Sequence, residues 1–283
     1  MANLDQQRAK AEAFRAKHFA EEILLLPNAW DVATARIIEE AGFASVATTS
    51  AGIAFSLGYP DGQEISRDEM LAVVARMAGA IRVPLTADVE AGYGDTPEDV
   101  ARTAQAVIEA GVVGMNLEDA TGDPEHPLVE LALQLEKIHA VGKAARRQQI
   151  RLVLNARTDV YLLRVGDPAG RYDETVRRLR AFRDAGADCV FAPGVRDAPT
   201  IGRLVADLQC PVNILAGPGS PSVAELHNLG VARVSLGSGP MRATLGLLRR
   251  LAQELKTKGT YETMEGAPSH AELNRLMARN PES

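Results

Sequence analysis

The sequence predicts an α/β fold, a closed (β/α)8 barrel of the TIM type. Three observations predict it. A unit of amphipathic helix, glycine turn and short apolar run recurs along the chain. The apolar runs lack polar alternation, as strands of a parallel sheet buried on both faces do. Polar and acidic residues gather just after those runs, at the end where barrels carry their chemistry. A doubly wound open sheet is the alternative, and it rarely needs so many regular units.

Taken in order, an extra polar helix is expected over about 4–20, before the first strand. Eight apolar runs then read as strands: ILLL (23–26), ASVATT (44–49), VPLTA (83–87), VVGMNL (112–117), RLVLNA (151–156), DCVFA (188–192), PVNIL (211–215) and ARVSL (232–236). Helices fall between and after them, at about 31–41, 66–80, 97–110, 128–148, 171–185, 197–208, 221–229 and 240–257. Ser66 and Thr96 read as N-caps, with Pro97 in the first turn that follows. Gly42, Gly111, Gly186 and Gly230 stand where a helix end tolerates positive φ. A loop from Gly259 to Pro268 leads to a last helix at about 269–279. The whole chain, 1–283, reads as one barrel domain with a C-terminal helical extension over about 259–283.

Composition narrows the partners. Of 283 residues, 46% are apolar and 24% charged, an ordinary globular mix. The net charge of -6 repels nucleic acid and anionic lipid, so neither is expected as a partner. No apolar run is long enough to span a membrane, and no signal-peptide core is present at the N-terminus. Two cysteines, Cys189 and Cys210, cannot build a disulfide framework or a cysteine-rich zinc site, and the expected compartment is the cytosol.

The strand ends carry the chemistry. Asp88 and Glu90 are two apart after the third strand and are expected to share a face. With Glu118 from the next strand they place carboxylates around one small volume. Like charges so close need a positive centre between them. An all-oxygen donor set suits Mg2+, with Mn2+ as its substitute. The bland reading is a network of acids capping helices. Arg157, one strand further, offers a fixed fork for a carboxylate or enolate oxygen.

Ser50, Ala51 and Gly52 open what reads as a long loop over about 50–65, whose small residues let backbone N–H groups approach an anion. Trp30 either lines the barrel mouth or packs beneath it. Glycine-rich loops at 217–220 and 237–239 keep a phosphosugar isomerase or aldolase in view. The lysines fall in helices or at a helix end, which disfavours a Schiff-base aldolase. His126 and Glu125, after the fourth strand, are the acid–base candidates. The alternative for His126 is a solvated loop residue.

The segments PNAWD (27–31), TTSAGIA (48–54), LGYPDG (57–62), ADVEAGYG (87–94), NLEDATG (116–122) and NARTDVYL (155–162) resemble the isocitrate lyase / phosphoenolpyruvate mutase superfamily, over about residues 23–240. The resemblance implies a Mg2+-dependent barrel acting on small 2-oxo or 2-hydroxy acids through an enolate. It implies metal contact by Asp88, with Glu90 and Glu118 holding the metal's waters and Asp61 assisting. Ser50, Ala51 and Gly52 would hold the substrate carboxylate, Arg157 would steady the enolate, and Asn213 would neighbour the reacting group. It also implies a homo-oligomer, a dimer or tetramer, with C-terminal helices swapped between subunits.

Two departures bear on subclass. The family's metal motif carries two aspartates, and here the second is Glu90. The lyases carry Lys-Lys/Arg-Cys-Gly-His after the fourth strand, where this chain has TGDPEHPLVE (121–130). The expected reaction is a Mg2+-dependent carbon–carbon lyase. Oxaloacetate decarboxylase, phosphonopyruvate hydrolase-type activity and a non-catalytic 2-oxo acid binder are the alternatives.

Overall fold

The structure is a computed structural model that describes residues 4–278. Its sheet holds β1 (Leu24–Leu26), β2 (Asn28–Ala29), β3 (Val46–Thr48), β4 (Leu85–Asp88), β5 (Gly114–Glu118), β6 (Val153–Arg157), β7 (Cys189–Phe191), β8 (Val212–Leu215) and β9 (Arg233–Ser235). The order is β1-β9-β8-β7-β6-β5-β4-β3-β2, parallel throughout. The first expected strand is therefore two pieces, and between them the sheet closes into the (β/α)8 barrel. Pro27 causes the break. It has no N–H to continue a ladder, so β1 stays with β9 while β2 turns to β3. Asn28 stitches the seam. Its Oδ1 accepts from the N–H groups of Leu236 (2.8 Å) and Gly237 (2.9 Å), and its Nδ2 donates to the Thr48 carbonyl (2.7 Å).

The surrounding helices are α1 (Leu4–Lys17), α2 (Val32–Glu40), α3 (Ser50–Leu57), α4 (Arg67–Ala80), α5 (Pro97–Glu109), α6 (Leu131–Arg147), α7 (Arg171–Asp184), α8 (Ala198–Leu208), α9 (Val223–Asn228), α10 (Gly239–Thr257) and α11 (His270–Met277). Ser66 and Thr96 cap α4 and α5 with reciprocal bonds to Glu69 and Asp99. Expected and observed helices agree within a few residues. Residue 279, at the end of the last expected helix, lies outside the described residues.

One element corrects the sequence reading. The stretch expected as a loop from residue 50 begins with helix α3, capped by Thr49 and ended at Gly58 with φ 87°. The loop proper runs only from there to α4.

α1 lies across the N-terminal end of the barrel. Phe14 and Ala11 are fully buried there, and Gln7 donates to the carbonyls of Ile108 (2.8 Å) and Val112 (3.0 Å) in the turn before β5. Gly114 makes room for Phe14: a Cβ at this position would stand 2.8 Å from the ring. α11 lies against α2, where Arg36 donates to the Leu276 carbonyl (3.0 Å). α10 turns Leu245, Leu247, Leu248 and Leu255 to solvent. No helix among the described residues is long and apolar enough to cross a membrane.

Candidate active site

The site is built where β3 to β6 end. Asp88 is the last residue of β4, and its N–H donates to Thr48 Oγ1 at 2.8 Å. Ser50, opening α3, donates its N–H (3.2 Å) and its hydroxyl (2.9 Å) to Asp88 Oδ2. Asn116 Nδ2 donates to Asp88 Oδ1 at 3.4 Å. The carboxylate is thus held from both sides with lone pairs left over.

Glu90 does not share a strand face with Asp88, as its spacing predicts. β4 stops at Asp88, and Glu90 sits in a turn at φ 53°. The turn still brings it within electrostatic reach of Asp88. Its carboxylate is buried and accepts from the Gln63 N–H (2.7 Å) and the Tyr93 hydroxyl (3.4 Å). Burial pushes the Glu90 carboxyl up to about 7, with Asp88 and Asp61 adding to the effect. Asp61, on the loop after α3, is exposed along one side. Partial burial and then Asp88 raise its carboxyl, while Arg157 opposes them.

Arg157 ends β6 opposite Glu118 at the end of β5. Its Nη1 lies 2.6 Å from Glu118 Oε2, and its Nε and Nη2 meet the two oxygens of Asp159 at 2.6 and 2.8 Å. Phe191 lies beneath, its ring centre 5.8 Å from the guanidinium carbon. Burial works against the Arg157 charge, but Glu118 and Asp159 outweigh it, and the guanidinium stays protonated. Burial pushes the Glu118 carboxyl up against the pull of Arg157. The fork expected to be free for a ligand is therefore engaged with carboxylates on both sides.

Asp159 is the main omission from the sequence reading. Its signal was there, a carboxylate two residues beyond Arg157 after the same strand. Asp119 has a different task. Fully buried, it accepts from Thr158 Oγ1 (2.6 Å), the Asp159 N–H (2.9 Å) and Arg178 Nη1 (3.1 Å). It ties the segment carrying Arg157 to α7.

The other expected residues divide. Ala51 and Gly52 form the buried first turn of α3, and Gly52 donates to the Thr49 hydroxyl (3.3 Å). Trp30 is buried beneath this turn: a Cβ on Gly52 would stand 3.0 Å from the Trp30 Cβ. Asn213 is buried on β8, donating to Ser235 Oγ at 3.1 Å, and its Oδ1 has no protein partner among the described residues. Glu125 and His126 are not brought to the acids. They sit on an exposed loop where Asp123 accepts from the Glu125 N–H (2.9 Å) and lies 3.3 Å from the His126 ring, whose side chain is 80% exposed. The glycine loops do not form an open phosphate cradle. Asn28 takes the Leu236 and Gly237 N–H groups, and Gly217 donates to Ser220 Oγ (3.2 Å).

Five carboxylates (Asp61, Asp88, Glu90, Glu118 and Asp159) thus gather at these strand ends, and the Arg157 guanidinium pairs directly with two of them, Glu118 and Asp159. This excess of negative oxygen fits a hard divalent cation. Among the described residues no three acidic, histidine or cysteine side chains form a ready-made metal cage, so the acids converge less tightly than their spacing predicts. One direct ligand with waters between the ion and the other acids matches that spread, and Mg2+ favours such a shell.

The phosphoenolpyruvate phosphomutase family profile matches residues 14–256. The chain belongs to this family. A protein of known structure from Burkholderia cenocepacia is 42% identical, with 99% of each chain aligned and a TM-score of 0.92. An uncharacterized Mycobacterium tuberculosis protein is 36% identical over 82% of this chain and 84% of its own. The 2-methylisocitrate lyase of Salmonella typhimurium is 26% identical over 89% of this chain and 87% of its own. The oxaloacetate decarboxylase of Rhodopseudomonas palustris is 27% identical over 89% and 86%. Oxaloacetate acetylhydrolase, solved with its product oxalate, is 29% identical over 95% and 93%, with a TM-score of 0.83. The named members of the family thus include a lyase, a decarboxylase and a hydrolase.

Proposed function

We propose that this family member is a Mg2+-dependent carbon–carbon lyase acting on a small 2-oxo or 2-hydroxy di- or tricarboxylic acid. The observation that carries the reading is the charge imbalance at the strand ends, five carboxylates of which Arg157 clamps two. Asp88 would hold the ion directly, and Glu90, Glu118 and Asp61 would face it through water. Bound there, Mg2+ would supply Lewis-acid stabilisation of negative charge developing on the substrate oxygens.

The chain's own residues do the rest. Ser50 keeps Asp88 aimed by two donated hydrogens. The first turn of α3, with Ala51 and Gly52, offers the positive end of a short helix to a substrate carboxylate. Arg157, stacked on Phe191 and fixed by Asp159, offers its charge to the reacting end. Asn213 and Trp30, both buried, would form the floor.

A decarboxylase-type member is the second reading, and the position of the loop after β5 favours it. Retro-aldol cleavage needs a base for a hydroxyl proton, whereas loss of CO2 from a 2-oxo acid needs only charge stabilisation and a proton source. Glu125 and His126 point to solvent, and the loop carries no Cys or Lys. The assembly expected is a homo-oligomer, for which the exposed leucines of α10 offer a face.

The test is release of pyruvate, succinate or glyoxylate from oxaloacetate, isocitrate and 2-methylisocitrate in parallel, with and without Mg2+. The D88A variant should bind no Mg2+ and turn over none of these, yet keep the native circular dichroism. Turnover that persists in D88A, or that ignores chelation, contradicts the reading.

A further inference from the structure

Arg233 is the largest side chain wholly enclosed in the barrel, 1% exposed at the start of β9. A buried guanidinium ordinarily faces a carboxylate, because an unpaired charge in the interior costs several kcal/mol. Arg233 has no ion pair among those of the described residues. It meets Asn116 Oδ1 through Nη2 and His18 Nε2 through Nη1, both at 3.4 Å, and its Nε has no protein partner.

The two contacts can be assigned chemically. His18 Nδ1 lies 2.9 Å from the Phe14 carbonyl, which only accepts, so Nδ1 carries the hydrogen. Burial, with Arg233 adding to it, pushes the His18 ring down to about 3, so the ring is neutral and Nε2 offers a lone pair to Arg233. Asn116 is the more consequential partner. An amide can turn either end to a neighbour, and Asn155, which donates to Asn116 Oδ1 at 2.8 Å, has the same ambiguity. Guanidinium has only donors. Together with the Asp88 carboxylate, which only accepts, it fixes the amide: the Asn116 carbonyl faces Arg233, and the NH2 faces Asp88, where Nδ2 donates to Oδ1. The reversed amide would set N–H against N–H on one side and carbonyl against carboxylate on the other. Among the described residues, Asp88 acts electrostatically on Arg233 as well, after Cys189.

We infer that Arg233 is a positioning residue for Asp88, acting through the amide of Asn116 from within the barrel core. The inference rests on the reading of Asp88 as the ligand of a divalent cation. Asp88 is held by Ser50 at one oxygen and by Asn116 at the other, and Arg233 anchors the far end of the amide that makes the second contact.

The test measures Mn2+ affinity of the purified protein, by the electron paramagnetic resonance signal of free Mn2+. The proteins compared are wild type, D88A, R233Q, R233K, N116L and the double variant R233Q/N116L. Glutamine can present either a donor or an acceptor to Asn116, whereas lysine can only donate. R233Q and N116L should each weaken Mn2+ binding on the order of tenfold, the scale of one hydrogen bond to a charged group. R233K should stay near wild type, and the double variant should bind no worse than N116L alone. A structural role would lower the melting temperature without this pattern. A long-range charge effect would have the opposite sign, since removing a cation tightens cation binding, and would persist in the N116L background. Unchanged or tighter Mn2+ binding in R233Q, or additive effects, overturns the inference. Should R233Q fail to fold, N116L decides alone: unchanged affinity there overturns it equally. Wild type and D88A binding Mn2+ alike refutes the metal reading and the inference together. Loss in D88A with none in R233Q or N116L refutes the inference only.

Discussion

Arg157 and Glu118 are register partners on neighbouring strands, and their side chains meet at 2.6 Å just where the strands end. The pair is nearly shut off from solvent, with side-chain exposures of 16% and 12%. Asp159 completes an acid–arginine–acid sandwich in which no member can be removed quietly. The R157A variant leaves buried acids without their cation, so it should lose about 3–5 kcal/mol of stability as well as turnover. R157K keeps the charge but not the fork, so it should recover most of the stability and little of the activity. Urea denaturation beside an oxaloacetate assay separates the two. Full activity in R157K would show that the fork geometry is irrelevant.

Glu90 makes the protein's stability depend on pH in a definite direction. Its folded carboxyl lies at about 7 against an ordinary value of 4.5. A raised carboxyl favours the protonated folded form. The stabilising contribution is therefore complete below the ordinary value and disappears as pH rises through about 7. Without divalent cations the melting temperature should be higher near pH 6 than near pH 8, roughly a unit to either side. E90Q should reduce that difference. Mg2+ needs the ionised carboxylate, so its affinity should climb over the same interval. Scanning calorimetry and Mg2+ titration at both values check this, and a flat Mg2+ affinity would remove Glu90 from the ion's surroundings.

His126 and Glu125 should be dispensable for the chemistry. Both face water on the loop after β5, and His126 is engaged with Asp123. H126A and E125Q should alter kcat/KM by less than about twofold, within the small range of ordinary surface substitutions. A loss of tenfold or more in either would mean that the loop folds inward during turnover.

Gly114 is where Phe14 of α1 packs against the start of β5. A methyl group there meets Phe14 at 2.8 Å, Thr86 Oγ1 at 2.9 Å and the Val153 carbonyl at 3.1 Å. The G114A variant should lose about 1–3 kcal/mol by overpacking. Adding F14L should recover part of it by freeing the space. Denaturation midpoints of the single and double variants provide the check, and additive losses would show that Phe14 is not the obstacle.

The strands and most helices were readable because each is set by local chemistry. The run VVGMNL after a glycine turn forms an interior strand, and Ser66 and Thr96 before periodic segments start helices. The carboxylates at the strand ends were readable for the same reason. The spacing of Glu90 suggests a strand face shared with Asp88, but its left-handed φ belongs to the turn that follows Asp88, and glutamate carries no signal for that conformation. α3 reads as a loop in the sequence because Ser50, Ala51 and Gly52 suit an anion-binding turn and a short capped helix equally well. Arg157 reads as a free fork in the sequence because its partners come from another strand and from a residue beyond its own. Which way the loop bearing His126 faces depends on tertiary contacts that a single sequence does not display.

The seam at Pro27 and Asn28 bears on how the chain is made. Asn28 Oδ1 binds the Leu236 N–H across 208 positions, and β1 has no lateral partner until β9 exists. While the chain is still emerging from the ribosome, its earliest strand must wait with one edge bare until translation has almost finished. A nascent barrel of this design is most vulnerable to edge-to-edge association late in synthesis. A stop codon placed just before Arg233 should yield an aggregating product, although every residue that hydrogen-bonds Asp88 would already be present.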